Sequence, residues 1–295
     1  MTDTMNRTET ASTDPTSAEA TGARESIARG HGVTPTVAVV TGASSGIGKE
    51  LARLLLQDGW TVVATGEDPT VLMAQDELSQ DGGEGHLETV QADLTWPEGV
   101  ETLWERATAG GTRQVDLVAL NAGVGAGGRS FVEIPLDEDV QVVALNVLST
   151  VRLAKLAARE MQQRGSGRLL FTSSIAATMP APYQATYGAS KAFVQSFAEA
   201  LRAELADQGV VVTALQPGPT DTNFFRRAQM EASTLVGRGP KDDPATVARQ
   251  GYEAVLVGKD RIVGGNPLNT VQEAAARIMP DRVRAAMHAV LTKPQ

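Results

Sequence analysis

The chain contains no cysteine, so neither disulfides nor thiol chemistry can operate in it. That absence fits a reducing compartment, and the protein is expected in the cytoplasm. Histidine is nearly as scarce. His31, His86 and His288 are too scattered to form a His-based metal cluster, and no metal site is expected. Positive charge is also in deficit, with a net charge of −9. An acidic surface favours neither nucleic acid nor an anionic membrane, so neither is expected as a partner. No apolar run approaches the ~20 residues that span a bilayer. Residues 1–32 have almost no large apolar side chains and are rich in Thr, Ser, Ala, Glu and Gly. Such a segment cannot offset its ordering entropy by burial and is expected to be a disordered tail. It has neither the apolar stretch of a secretory signal nor, with Asp3, Glu9, Asp14, Glu19 and Glu25, the acid-poor character of a transit peptide.

The rest, with 42% hydrophobic and 21% charged residues across the chain, has the balance of a soluble globular protein. It is organised around Thr41-Gly-Ala-Ser-Ser-Gly-Ile-Gly48. Before this stretch, Val37 to Val40 reads as a buried strand; after it, Ile47, Leu51, Leu54 and Leu55 recur at helical spacing. A strand therefore enters a glycine-rich turn that opens a helix, whose free N–H groups make a phosphate site. Gly42 permits the turn, Gly46 a close approach of a diphosphate, and Gly48 close packing of the helix. The spacing Gly-x3-Gly-x-Gly differs from the usual dinucleotide fingerprint. The same letters contain Gly42-x-Ser44-x-Gly46, which also fits the nucleophile elbow of serine hydrolases. That rival fails further on: only one strand precedes the elbow, no His-Gly-Gly oxyanion motif appears, and His288 is the sole late histidine. Ser44 and Ser45 are better read as phosphate-loop hydroxyls.

Strands are expected at 60–65, 87–92, 115–120, 168–172, 210–215 and 261–264. Helices alternate with them near 71–78, 98–109, 137–163, 187–206 and 244–257, and further helices at 268–278 and 280–291 follow the last strand. Alternation of this kind predicts an α/β fold, a Rossmann-type doubly wound parallel sheet. A single domain is expected from residue 33 to 295, with a C-terminal helical extension at about 268–291. In such a sheet the ligand lies beyond the carboxyl ends of the strands. Asp93, Asn121, Ser173, Ser174 and Pro217-Gly218 all follow strands at that edge, although each residue type is also a common turn former.

Tyr187 and Lys191 are four apart on a predicted helix and share one face. An ammonium beside a phenol favours the phenolate and is expected to lower the tyrosine pKa from its ordinary ~10 toward working pH. That suits a general acid/base for alcohol–ketone interconversion. Ser174 at a strand end could share the substrate oxygen with Tyr187. Asn146, unfavourable in mid-helix by propensity, reads either as part of a hydrogen-bond network or as an exposed position.

The set Thr41-Gly-x3-Gly-Ile-Gly48, Asp93, Asn121-Ala-Gly123, Asn146, Ser174, Tyr187-x3-Lys191 and Pro217-Gly218 resembles the short-chain dehydrogenase/reductase family over about residues 35–265. The resemblance implies binding of NAD or NADP and catalysis by Asn146, Ser174, Tyr187 and Lys191. Tyr187 would be the acid/base, and Lys191 would lower its pKa and hold the nicotinamide ribose. Ser174 would orient the carbonyl, and Asn146 would hold a water behind Lys191. Gly42, Ser44, Ser45, Gly46, Ile47 and Gly48 would cradle the diphosphate, and Asp93 and Leu94 would meet the adenine. Asn121, Ala122, Gly123, Pro217, Gly218, Thr220 and Thr222 would complete the cofactor pocket.

At the second strand's end, Gly66 stands where NAD-preferring relatives carry Asp, and Glu67 where many NADP-preferring ones carry Arg. Glu67 and Asp68 would repel a 2′-phosphate, which favours NAD. Residues 224–241 resemble the family's variable substrate lid, with Phe224, Phe225, Met230, Leu235 and Val236 as an apolar cover, and Arg226, Arg227, Arg238 and Lys241 either attracting an anion or merely solvated. The C-terminal helices either cap the pocket or pack on a partner subunit; the resemblance implies a homodimer or homotetramer. The expected activity is hydride transfer between a nicotinamide cofactor and a small secondary alcohol or carbonyl compound. A non-catalytic dinucleotide-binding redox sensor, or a lyase or epimerase on the same fold, is the alternative.

Overall fold

A computed structural model describes residues 28, 32–34, 36–72, 85–228 and 241–293. The rest of the tail expected at 1–32, most of the helix expected at 71–78 and lid residues 229–240 lie outside the described residues.

Seven parallel strands form one sheet in the order β3-β2-β1-β4-β5-β6-β7. They are β1 Val37–Thr41, β2 Thr61–Gly66, β3 His86–Gln91, β4 Leu117–Leu120, β5 Gly167–Thr172, β6 Val210–Pro217 and β7 Arg261–Gly264. The order reverses between β1 and β4, so a crevice opens there at the carboxyl edge. The fold is the Rossmann-type doubly wound sheet expected. β1 shows why both faces must be covered. Ala38 and Val40 point into one core with Leu51, Leu55, Trp60 and Val255, whereas Val37 and Val39 point into the other with Leu103, Leu153 and Met161. Side chains alternate across a strand, so an uninterrupted β-branched run must be buried on both sides.

The helices α1 Gly46–Gln57 and α5 Pro244–Leu256 contribute to the first core. The helices α2 Pro97–Thr108, α3 Leu136–Arg164 and α4 Ala185–Leu205 contribute to the second. Against the sequence expectation, α3 is long and apolar enough by length and composition to cross a membrane. Its Leu153, Ala154, Ala157 and Met161 are instead buried in the second core, a soluble helix's arrangement. On α4, residues Phe193, Phe197, Leu201 and Leu205 recur every four positions; Phe197 meets Phe171 edge-on at 5.9 Å, Leu201 is partly buried and Leu205 is buried, so the second core covers most of this stripe. Phe193 stays partly outside, stacked on Phe197.

The observed elements differ from expectation chiefly at their ends. β4 begins at Leu117 rather than Val115. β6 runs on to Pro217 because β7 pairs with it as far as Gly264. After β7 come α6 Pro267–Ile278 and α7 Asp281–Thr292.

Candidate active site

Thr41, the last residue of β1, accepts hydrogen bonds on its hydroxyl from the Asn121 and Ala122 amides at 2.9 Å each. The Asn121 side chain donates to the Thr41 carbonyl at 3.0 Å. These bonds lock the glycine turn to the end of β4, across the crevice. Gly42 and Gly46 have φ of +68° and +58°, the left-handed region that favours glycine. A Cβ on Gly46 would lie 2.7 Å from Thr222 Cγ2, so the loop after β6 closes the cradle from the other side. A Cβ on Gly48 would lie 2.2 Å from the Gly42 carbonyl oxygen and 2.5 Å from Asn121 Nδ2. Its small size therefore serves the turn and Asn121 rather than general packing of helix on strand.

Ser45 caps α1 in extended conformation but makes no side-chain cap bond, and no acidic residue stands in the first turn. The helix start thus keeps its donors and positive dipole end for an anion. A glycine cradle, an uncapped helix start and flanking Ser44 and Ser45 hydroxyls fit a dinucleotide diphosphate.

The cradle opens into a cavity of about 560 Å³ along the carboxyl edge. Every site residue expected from the sequence lines it except Gly48 and Asn146, which stand behind its wall. Asp93 does double duty. It lines the cavity, and its carboxylate accepts from the Thr95 amide and hydroxyl, so the turn-former reading holds as well.

Ser174, Tyr187 and Lys191 are all buried and line the same cavity. Ser174 comes from the β5 exit, where its hydroxyl accepts from the Ala176 amide at 3.1 Å. Tyr187 and Lys191 stand one turn apart on α4. The expected lowering of the tyrosine pKa is not found. Burial pushes the Tyr187 phenol up to about 12, countered only by a hydrogen bond with Ser174. Lys191 Nζ lies 6.0 Å from the ring centroid and donates instead to the Thr172 carbonyl at 2.9 Å. Burial also brings Lys191 down to about 8. Turned to the Thr172 carbonyl at that distance, the amine does not offset the desolvation of a phenolate.

Asn146 is 1% exposed, which excludes the exposed-position reading. It lies in a π-helical turn, Ala144–Ser149, inside α3. Its side chain accepts from the Val124 amide and donates to the Val124 carbonyl and to Ser190 Oγ, each at 2.9 Å. The π-turn admits an extra residue per turn at a functional position. A Cβ on Gly123 would meet Asn146 Oδ1 and Lys191 Nζ, each at 3.2 Å, so glycine there lets the two groups approach.

Sequence reasoning missed several residues. Ser190 donates to the Tyr187 carbonyl at 2.7 Å and accepts from Asn146, linking the two; its place three residues after Tyr187 was the available signal. Gln184, Gln272, Glu273 and His288 also line the cavity. The last three come from the C-terminal helices, which therefore cover the pocket.

The short chain dehydrogenase family pattern matches residues 36–232. The 3-oxoacyl-[acyl-carrier-protein] reductase FabG of Vibrio cholerae is 32% identical over 218 residues, covering 72% of this chain and 86% of that one. A short chain dehydrogenase/reductase from Burkholderia phymatum in complex with NAD superposes with a TM-score of 0.72 at 25% identity, over 81% of this chain and 92% of that one. A putative NAD(P)-dependent gluconate 5-dehydrogenase from Beutenbergia cavernae with bound NADP gives 0.65 at 31% identity, over 77% and 94%. The chain belongs to the short-chain dehydrogenase/reductase family. It is an oxidoreductase with an NAD(P)-binding Rossmann fold.

Proposed function

We propose that the protein interconverts a secondary alcohol and its ketone, with Tyr187 as the acid/base. The observation carrying this reading is that Ser174, Tyr187 and Lys191 are buried together in one cavity that continues into the glycine cradle. Gly42, Ser44, Ser45, Gly46, Ile47 and Thr222 would hold the dinucleotide, which supplies a hydride donor or acceptor when bound. In the ketone-to-alcohol direction Tyr187 gives its phenolic proton to the substrate oxygen; in reverse it removes that proton. The high phenol pKa makes Tyr187 an acid in the resting protein. A positive charge brought near the ring would pull it toward neutrality. Ser174, already hydrogen-bonded to Tyr187, is placed to share the substrate oxygen and polarise the carbonyl. Behind the tyrosine Asn146 bonds to Ser190 and Ser190 to the Tyr187 carbonyl, while Lys191 donates to the Thr172 carbonyl; Lys191 and Asn146 both come close to Gly123, where a water held between them would resupply the proton.

NAD is the preferred cofactor in this reading. Glu67 and Asp68 line the adenosine end, where acidic side chains repel a 2′-phosphate. Arg227 pairs with Asp68 at 3.2 Å and offsets part of that repulsion, so the preference rests mainly on Glu67. The protein acts in the cytoplasm on a small carbonyl or alcohol compound, as a homodimer or homotetramer. Exposed Val140, Val143 and Leu148 on α3 and Phe193 on α4 support pairing through the two long helices. Titrating NADH and NADPH separately, then adding a ketone panel, tests the reading. Tighter NADH binding and stoichiometric cofactor oxidation are expected. Binding without oxidation of any ketone would favour the sensor alternative, and turnover without net cofactor oxidation a lyase or epimerase.

A further inference from the structure

The C-terminal helices are fastened to the chain between the two catalytic segments. Arg284 on α7 donates to the Thr178 carbonyl, and Thr292 at the helix end donates to the Pro182 carbonyl at 2.9 Å. At the other end Asn269 on α6 donates to Asp242 at 2.6 Å and to the Gly264 carbonyl at 3.0 Å. A Cβ on Gly218 would lie 2.4 Å from Asn269 Nδ2, so α6 presses directly on the loop after β6. Held at both ends, the helix pair forms the wall of the cavity away from the dinucleotide cradle.

Two buried side chains on that side each carry a polar group with no hydrogen bond among the described residues. His288 is 7% exposed and lines the cavity. Its Nδ1 lies 3.4 Å from Thr292 Oγ1. The single Thr292 hydroxyl proton is directed to carbonyl acceptors, Pro182 at 2.9 Å and His288 itself at 2.8 Å. The contact with the ring therefore requires Nδ1 to carry the proton and the threonine oxygen to accept it. Burial keeps the imidazole neutral by lowering its pKa. Nε2 is then a bare acceptor, without a hydrogen-bond partner among the described residues. Gln184, two residues after Pro182, is 3% exposed and lines the same cavity; its side-chain amide also makes no hydrogen bond there.

Both residues line the cavity, where these groups are completed by water or by a polar atom of a ligand. We propose that His288 Nε2 and the Gln184 amide, which line the same cavity, set specificity for a substrate hydroxyl, so that the preferred substrate is a hydroxylated ketone. His288 Nε2 accepts a hydrogen bond from the hydroxyl, and the Gln184 amide offers a donor and an acceptor on the same side of the cavity. A purely apolar ketone would leave both groups unsatisfied. The inference rests on the carbonyl-reductase reading of the same cavity.

The test uses the full chain with NADH and matched pairs of ketones, pentan-2-one with 5-hydroxypentan-2-one and cyclohexanone with its 2-, 3- and 4-hydroxy derivatives. The wild type should favour at least one hydroxylated member by roughly 10- to 100-fold in kcat/KM, the range for one well-placed hydrogen bond. His288→Phe should bring that ratio to near one, and His288→Gln, which can still present an acceptor, should restore part of it. In parallel, ¹⁵N NMR should show the Nδ1-protonated tautomer for one of the three histidines, with its Nε2 signal moving when the preferred hydroxyketone is added in the presence of NAD. Reduction without hydroxyl preference, or a preference that survives His288→Phe, overturns the proposal while leaving the reductase reading intact. Hydroxyketone binding that depends on His288 without reduction keeps the specificity site and removes the reductase. Neither binding nor reduction by any pair overturns both.

Discussion

The two edges of the sheet each bury a tyrosine, and they do so in opposite ways. At the amino edge Tyr252 on α5 donates to Asp58 at 2.6 Å and accepts from Trp60 Nε1 at 3.0 Å. Burial and the neighbouring carboxylate push its pKa far up, and nothing about its setting asks for a ligand. At the carboxyl edge Tyr187 is also buried, but it faces a cavity with Ser174 as its hydrogen-bond influence and an amine one helical turn away. A buried phenol surrounded by fixed partners is scaffold. A buried phenol that holds its proton and faces an opening is a candidate for chemistry.

Changes at each edge should separate these roles. The largest effect is expected from Gly46→Val. A branched side chain at φ +58° would strike Thr222 and fill the cradle, so NADH affinity should fall more than ~100-fold, as titration by cofactor fluorescence would show. Retained affinity would mean that the dinucleotide does not use this turn. Next comes Tyr252→Phe, which leaves the Trp60 donor and the Asp58 carboxylate without their shared hydroxyl. A loss of about 1–3 kcal/mol is expected in urea unfolding, with kcat unchanged.

Lys191 should show itself in the pH dependence of stability. Its folded pKa lies near 8 against an ordinary 10.5, so between those values the unfolded chain binds a proton that the folded chain has released. Stability without cofactor should therefore rise with pH across that window. The raised Tyr187 pKa opposes this only above pH 10, where the unfolded chain loses a proton that the folded phenol keeps. Melting curves from pH 8 to 10 should slope upward in the wild type and flatten in Lys191→Met. The smallest effect belongs to Arg227→Ala. The pair with Asp68 is about half exposed on both sides, and its removal should change stability by less than ~1 kcal/mol.

The cofactor end of the cleft was legible in the sequence because it is made of residues whose type is dictated by backbone geometry. Gly42, Gly46, Asn121 and Pro217-Gly218 sit at strand ends that the β-branched runs already locate. The candidate catalytic residues were legible because Tyr187 and Lys191 share a helix face and Ser174 follows a strand. The protonation of that pair was not, because proximity in sequence says nothing about desolvation. Burial, visible only in three dimensions, reverses the expected direction of the tyrosine shift. The substrate end was least legible. His288 and Glu273 stand on helices that follow the sheet, and only tertiary contacts such as Thr292 to Pro182 bring them over the cavity. Choosing between a cap on the pocket and a face for a partner required those contacts. The π-turn at Asn146 likewise leaves no mark in hydrophobic periodicity.

The most direct test compares Tyr187→Phe with Tyr252→Phe and the wild type. NADH oxidation with the best ketone is followed at one temperature below the melting point of all three. Tyr187→Phe should bind NADH as the wild type does, melt within a few degrees of it, and lose ~10²- to 10⁴-fold in kcat, the range for a general acid. Tyr252→Phe should show the reverse pattern, with turnover kept and stability reduced. Wild-type turnover in Tyr187→Phe would contradict the account, because the cavity tyrosine would then be scaffold like its counterpart at the other edge.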